Sequence, residues 1–488
     1  MDSGIAQPPS TARTLRRLSD LPGPRPWPLV GNALQIDIPH FHLQLEAWAR
    51  EHGPLYRLDL RKRLLLVVGD HEVVATLLRD RPDGLSRTSR LEEIWNEMGL
   101  VPGLFGANGE AWRRQRRMVM AGFDPAHVKR YFPSLQKVAR RLGGRWQKAA
   151  RERKRIDLQA DLMRYTVDTI AGLAFGAEVN TLESDGDVIQ QHLDKIFPAV
   201  FKRMLAPVAT WRIVRLPADH QLERSVAAVM TAVHGFVAQA RERMRAQPAL
   251  REQPTNLLEA MIAAADQPGS GIDDHQVAGN VLTMLLAGED TTANSLAWMI
   301  HLLWRHPAAL ARATEEVRRI VTDPANPTHE QMAQLDYVEA CAHETMRLKP
   351  VAPMLVLQAL HPMTIADVQV PRGTNIVTLL RRDSVSEAHL PRAAAFEPER
   401  WLADAGAGGL GPQAGSAKRL AMPFGAGPRI CPGRYLALLE MKMAIATLLG
   451  RFDIASVDTR GRREPEERQA FTMMPVGLRM TLRERPGL

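Results

Sequence analysis

Only two cysteines, Cys341 and Cys431, stand among 488 residues. That is too few for a disulfide framework, so a reducing compartment such as the cytoplasm is expected. No stretch approaches the roughly 18 uncharged apolar residues that a membrane-crossing helix needs. The chain opens polar and basic (Arg13, Arg16, Arg17) and shows no secretory signal. A soluble protein without a transmembrane anchor is expected, with residues 1–20 as a disordered tail. Lysine is scarce, supplying 10 of the 63 basic residues. The net charge of +9 would suit nucleic acid, but the arginines are scattered and no recognition motif accompanies them, so nucleic acid is set aside. A solvated surface with one basic face for an acidic partner is the simpler reading. There is no internal repeat and no long linker, and residues 21–488 are read as one domain with an ordinary apolar fraction of 45%.

Prolines and glycines in LPGPRPWPLVGN, residues 21–32, exclude helix or interior strand there. Residues 55–60 and 63–68 alternate or run apolar and predict a strand pair. Helical periodicity dominates from about 71 to 350, interrupted by GLVPGLFGANG at 99–109 and DQPGSG at 266–271. Short strands are expected within 354–380, an irregular loop over 403–416, and a closing hairpin around Pro475–Gly477. Cys341 falls on the apolar side of a helical stretch and reads as a packed thiol. One helix is predicted from Asp274 to His306, stopped by Pro307, with Asp273 and Gln276 forming a variant capping box. Its middle breaks the pattern. Ala287-Gly288-Glu289-Asp290-Thr291-Thr292 interrupts an apolar run, and the glycine alone costs about 1 kcal/mol relative to alanine.

The most informative segment is FGAGPRICPG, residues 424–433. Cys431 sits in a loop stiffened by Pro428 and Pro432 and opened by Gly425, Gly427 and Gly433. Phe424 lies upstream, and Arg429 stands two residues before the sulfur. Glycines let backbone N–H groups approach a thiolate, while prolines hold the loop still. An arginine at this spacing can reach a haem propionate as a charge-assisted partner. The spelling F-x-x-G-x-R-x-C-x-G resembles the haem-binding loop of the cytochrome P450 family, with every fixed position present.

The resemblance implies haem b held by Cys431 as axial thiolate, with Phe424, Arg429, Gly427 and Gly433 completing the cofactor loop. The 287–292 insert matches the family's oxygen-activation motif. By that match Gly288 makes room for dioxygen, Thr291 offers its hydroxyl, and Asp290, rather than Glu289, passes protons inward through water. Trp112 and Arg116, four apart on one helical face, match the family's W-x-x-x-R. They are expected to meet a propionate through the indole N–H and the guanidinium fork. Arg113, Arg114 and Arg117 divide between solvated surface and a docking patch for an electron donor. Glu344 and Arg347 can pair across one helical turn, and with Arg400 of FEPERW they resemble the family's Glu-Arg-Arg network, a structural triad behind the haem loop. In the strand after Pro353, where many members place another propionate-binding arginine, this chain has Gln358.

The family implies a mainly α fold, an α-rich triangular prism with a small β-rich lobe. It also implies insertion of one atom of dioxygen into a lipophilic small molecule: a fatty acid, terpenoid, steroid or polyketide-like compound. Two electrons would come from a ferredoxin or flavodoxin with its NAD(P)H reductase, no reductase being expected on the chain itself, and a monomer is expected. By analogy the pocket is lined by Leu104, Phe105, Leu286, Ala287, Val351, Ala352, Phe471 and Thr472, all but the last apolar. Residues 196–215 are read as a lid built from a core-facing helix pair rather than a membrane contact. A peroxygenase driven by hydrogen peroxide would not need the Asp290–Thr291 pair. A haem-thiolate sensor would form no product.

Overall fold

The long helix Asp274–Arg305 organises the molecule. Its start is fixed locally, because Asp273 accepts from the Gln276 N–H at 2.8 Å while Gln276 accepts from the Asp273 N–H at 3.2 Å. It packs most extensively on the helix Leu158–Phe175, and also on Pro217–Ala246 and Asp336–Leu348. The structure, a computed structural model, describes residues 15–485 apart from 61–62, 177–178, 185–187, 207, 403–412, 460 and 462.

Two apolar cores divide the long helix between them. Leu296, Ala297 and Ile300 join one core with Ile445 and Leu448 of the helix Arg434–Arg451. Val277, Val281 and Leu285 join the other with Ile196, Val200 and Ile262. Each such side chain contributes about 1.5–3 kcal/mol when fully buried. Cys341 is 0% exposed in the first core, as a packed thiol should be.

The expected strand pair forms as Leu55–Leu60 and Arg63–Val68. They begin a five-stranded sheet continued by Asn375–Leu379, Met354–Ala359 and Leu85–Ser86. Smaller sheets join Arg16–Arg17 to Val368–Val370 and Met363–Ile365, and Phe452–Asp458 to Arg479–Glu484 and Ile156–Asp157.

Three expectations need correction. Residues 16–20 are not part of a disordered tail, because Arg16 and Arg17 pair with Val368 and Gln369 and Arg16 is bonded to Asp367 at 2.8 Å; residues 1–14 lie outside the described residues. The irregular loop does not run to 416, since a helix spans Gln413–Leu420; residues 403–412 lie outside the described residues. The closing hairpin is not centred on Pro475–Gly477. Met473–Pro475 pairs backward with Glu467–Gln469, while Arg479–Glu484 joins a different sheet. Gly477, at φ +77°, turns the chain from one sheet to the other.

Candidate functional site

Cys431 is held by its own loop. Its N–H donates to the Phe424 carbonyl at 2.9 Å, and Ile430 N–H donates to Gly427 at 3.0 Å across the turn Gly427–Arg429. Gly427 has φ +69°, and a Cβ there would come within 2.6 Å of the Leu78 carbonyl. The loop backbone therefore rests directly on the end of the helix His71–Arg79. Burial pushes the Cys431 thiol up, while the Gly433 N–H, Arg116 and Arg434 act in the opposite sense. The other thiol, Cys341, is pushed well above its usual value by burial, with acidic groups adding to the effect.

Four guanidiniums gather beside this loop. Arg429 lies 4.9 Å from the centre of the Trp112 ring and donates to the Ala107 carbonyl, yet its Nε has no partner among the described residues. Burial and the neighbours Arg81 and Arg116 pull Arg429 down to about 9. Burial also lowers Arg81, to about 10, and Arg87, which faces Arg81 and Arg429. Burial lowers Arg116 as well, partly offset by Cys431. Among the described residues none of the four has a carboxylate at ion-pair distance. Clustered cations without an anion are costly in a protein interior. A group bringing two carboxylates and a thiolate-binding centre fits this donor set.

Of these, Arg116, Arg429 and Trp112 were legible in the sequence; Arg81 and Arg87 were missed. Nothing in their local spacing sets them apart from the many scattered arginines. Gln358, where an arginine was sought, takes part instead in strand-edge bonding, receiving the Ser89 N–H at 3.3 Å and donating to Gly373 at 3.2 Å. Arg113 pairs with Asp83 and Glu110, and Arg117 reaches Glu110 at 4.0 Å, so the proposed docking patch is partly neutralised.

On the long helix, Thr291 donates to the Ala287 carbonyl at 2.6 Å. Ala287 is exposed although Leu285 and Leu286 before it are buried. At Gly288 a Cβ would meet the Ile170 side chain at 2.6 Å, so on that side its missing side chain admits the neighbouring helix. Asp290 receives the Thr472 hydroxyl at 3.4 Å. Thr472 in turn accepts from Asn294 at 3.3 Å, and Asn294 from Gln159 at 2.8 Å. Thr472 is therefore buried polar support for Asp290.

Behind the loop, Arg347 uses every N–H it has. Nε and Nη2 grip Glu344 at 2.8 and 2.7 Å, and the remaining donors reach the Ser384, Ala393 and Ala395 carbonyls. Both side chains are 0% exposed. Arg400 approaches Glu344 at 3.5 Å, and the Trp401 indole donates to it at 2.9 Å. The expected triad is assembled.

The candidate walls come from separate segments. Phe471 stacks on Phe197 at 4.2 Å and meets Phe105 edge-on at 5.6 Å. Leu104 is buried beside them in the same core, and Val351 accepts from the Met473 N–H at 2.8 Å, with Ala352 half-buried next to it. Leu286 is 1% exposed and packs into the same core. The 196–205 part of the lid is core-facing as expected, but Ile213, Val214 and Leu216 are exposed. Arg90 anchors this segment by donating to the Arg203, Met204 and Ala206 carbonyls. Elsewhere, His71, Asp383 and His389 lie within metal-ligand reach of one another. Asp383 is already engaged by the His71 N–H and by Arg382, which gives it a structural task at a helix start.

The model of the family Cytochrome P450 matches residues 21–482. The chain belongs to that family. Cytochrome P450 enzymes are haem-thiolate oxidoreductases, and the cation cluster beside Cys431 suits such a cofactor. The crystal structure of the cytochrome P450DA heme domain superposes with a TM-score of 0.81 over 97% of this chain and 99% of that one, at 24% identity. Protein LUTEIN DEFICIENT 5, chloroplastic, of Arabidopsis thaliana is 26% identical over 82% of this chain and 67% of its own length. Carotene epsilon-monooxygenase, chloroplastic, of the same plant is 27% identical over 85% and 77%. The self-sufficient cytochrome P450 monooxygenase CYP505E5 of Aspergillus niger is 27% identical over 96% of this chain, which spans only 43% of that relative. The expectation that no reductase is joined to this chain runs against these relatives named self-sufficient, of whose length the chain spans less than half. No described helix is long and apolar enough to cross a membrane.

Proposed function

We propose that this cytochrome P450 oxidises a lipophilic small molecule with dioxygen and two electrons, using Cys431 as the haem ligand. The observation that carries the reading is the cluster Arg81, Arg87, Arg116 and Arg429, four cations without a carboxylate, set beside the Cys431 loop. Arg429, Arg116 and Trp112 would hold the propionate side, with Arg81 and Arg87 in the place that Gln358 leaves unfilled. Phe424, Gly427 and Gly433 would shape the thiolate loop. Bound there, the haem would supply the redox centre at which dioxygen is activated.

The chain's own groups do the rest. Thr291 donates its one hydroxyl proton to the Ala287 carbonyl, which leaves its oxygen as an acceptor at the exposed turn of the long helix. Asp290, steadied by Thr472, holds a carboxyl one residue away for proton supply. Phe105, Phe197 and Phe471 exclude water and offer an apolar, aromatic face to the substrate. An apolar wall of this kind suits terpenoid- or fatty-acid-like molecules, and the carotene monooxygenase among the relatives points to the same chemical class. A reducing compartment such as the cytoplasm suits the two thiols. A ferredoxin or flavodoxin remains the proposed electron source, tested by whether turnover requires one to be added.

The deciding experiment is the absorption spectrum of the reduced, carbon monoxide-bound protein. Wild type should show the long-wavelength band of thiolate-ligated haem, and Cys431→His should lose it while retaining haem. If Cys431→His keeps that band, the ligand assignment fails. A screen of lipophilic compounds for binding-induced spectral change would then narrow the substrate.

A further inference from the structure

The loop that carries Leu104 and Phe105 is irregular backbone, and its place against the long helix is set by very few groups. The Leu104 N–H donates to Asn280 Oδ1 at 2.8 Å, in a buried position. The Asn280 amide donates onward to Gln115 Oε1 at 2.9 Å and to the Gln276 carbonyl at 2.8 Å. Gln115 returns to the same loop, donating to the Pro102 carbonyl at 3.4 Å. One buried amide thus joins three elements: the loop, the long helix and the helix Gly109–Gly122 that bears Trp112 and Arg116.

Backbone packing reinforces this seat. A Cβ at Gly103 would approach Thr283 Oγ1 within 2.0 Å and the Gly279 carbonyl within 2.4 Å, and a Cβ at Gly279 would meet Val101 at 2.8 Å. On its other side the loop offers its Phe105 and Ala107 carbonyls to Arg87 and Arg429. The Arg87 guanidinium also covers the Phe105 ring at 4.2 Å. Asn280 itself is 1% exposed amid Val277, Val281 and Leu104. A polar side chain survives in such a place when its hydrogen bonds are all made.

We infer that Asn280 is a positioning residue for substrate specificity: through Leu104 it fixes where the Phe105 wall stands over the reaction site. The inference rests on reading Leu104 and Phe105 as substrate wall. Without the Asn280 acceptor the buried Leu104 N–H loses its side-chain partner on the long helix. The loop can then leave its seat, while the long helix keeps its own backbone bonds.

The test is hydrogen–deuterium exchange by mass spectrometry on the haem-loaded protein, paired with spectral titration of any substrate found in the screen. Asn280→Ala should speed exchange in residues 99–108 about 10-fold, the loss of roughly one buried hydrogen bond, and leave peptides around Glu344 and Arg347 unchanged. The same variant should weaken substrate binding or redistribute the oxidation products. Should Asn280→Ala fold poorly, Gln115→Met removes the second half of the link and should give a smaller change of the same kind. Unchanged exchange in the loop in both variants would overturn the inference. Faster loop exchange with identical substrate affinity and products would overturn it too, by showing that the loop is no wall, and would leave the haem assignment of Cys431 standing.

Discussion

Arg429 lies 4.9 Å from the centre of the Trp112 ring, and its Nε is buried without a hydrogen-bond partner among the described residues. Stacking on an indole compensates a guanidinium only in part, by about 2 kcal/mol when desolvated. Arg81 and Arg116 add like charge, so the group is held at a cost that a bound carboxylate would remove. Arg429→Leu should therefore separate two quantities that usually move together. Stability of the haem-free protein should stay level or rise, while haem is lost faster than from wild type. Thermal melts with and without haem check this, and a variant that destabilises both forms equally would show that Arg429 is only a packing residue.

Two glycines flank Cys431 and look alike in sequence, yet their surroundings differ. Gly427 combines φ +69° with a Cβ position 2.6 Å from the Leu78 carbonyl. Gly433 has φ −82°, and its nearest neighbours stand at 3.7 Å or more. Gly427→Ala must lift the loop off the helix His71–Arg79, because backbone cannot yield as a side chain can. Gly433→Ala meets only ordinary contact. The first should yield little haem-loaded protein and the second near-normal haem content, and similar behaviour of the pair would refute the distinction.

Gly288 has a packing role beside the one the motif assigns it. The resemblance marks it as room for dioxygen, and on the side where a Cβ would stand Ile170 already fills the space. Gly288→Ala should cost about 1–3 kcal/mol by overpacking. Ile170→Val, made alongside it, should recover part of that loss. Recovery would be seen in melting temperature; a double variant no more stable than the single one would count against the packing explanation.

Arg347 concentrates the structural load behind the loop. All of its donors are used and Glu344 is fully enclosed with it. Removing one partner of such a pair costs about 3–5 kcal/mol. Arg347→Ala should yield little haem-loaded protein, and Arg347→Lys should fare scarcely better, since an ammonium cannot span the same five contacts. Normal haem incorporation in either variant would exclude this role.

The legible parts of the fold are those written in short range. The strand pair at 55–60 and 63–68, the Asp273–Gln276 cap and the Gly427-to-Cys431 loop each depend on residues a few positions apart. What escaped was decided at long range. Phe197 reaches Phe471, Asn280 reaches Leu104, and Arg87 reaches Phe105, by tertiary packing that no local pattern announces. The misplaced closing hairpin has the same origin: Met473–Pro475 and Arg479–Glu484 are neighbours in sequence but belong to different sheets. The Glu344–Arg347 pair was weak as a local pattern, and its weight came from the resemblance and from Arg400 far along the chain.

Glu467 gives the fold a defined acid limit. Burial alone would raise its carboxyl, but His42, Arg381 and Lys349 outweigh burial and hold it well below the ordinary value of 4.5. Arg381 donates to it at 2.7 Å and His42 reaches it at 3.1 Å, while Arg381 also grips Glu46 at 2.9 Å. The unfolded chain therefore binds this proton at a higher pH than the folded one does. The stabilisation is complete above about pH 4.5 and falls away as pH drops toward the depressed folded value. Glu467→Gln should lower stability at neutral pH and flatten the loss of stability below pH 4.5. Denaturant melts of both proteins between pH 3 and 7 give the comparison. Parallel pH profiles would mean that the carboxylate is not what ties the Glu467–Gln469 strand to Arg381 and the helix Phe41–His52.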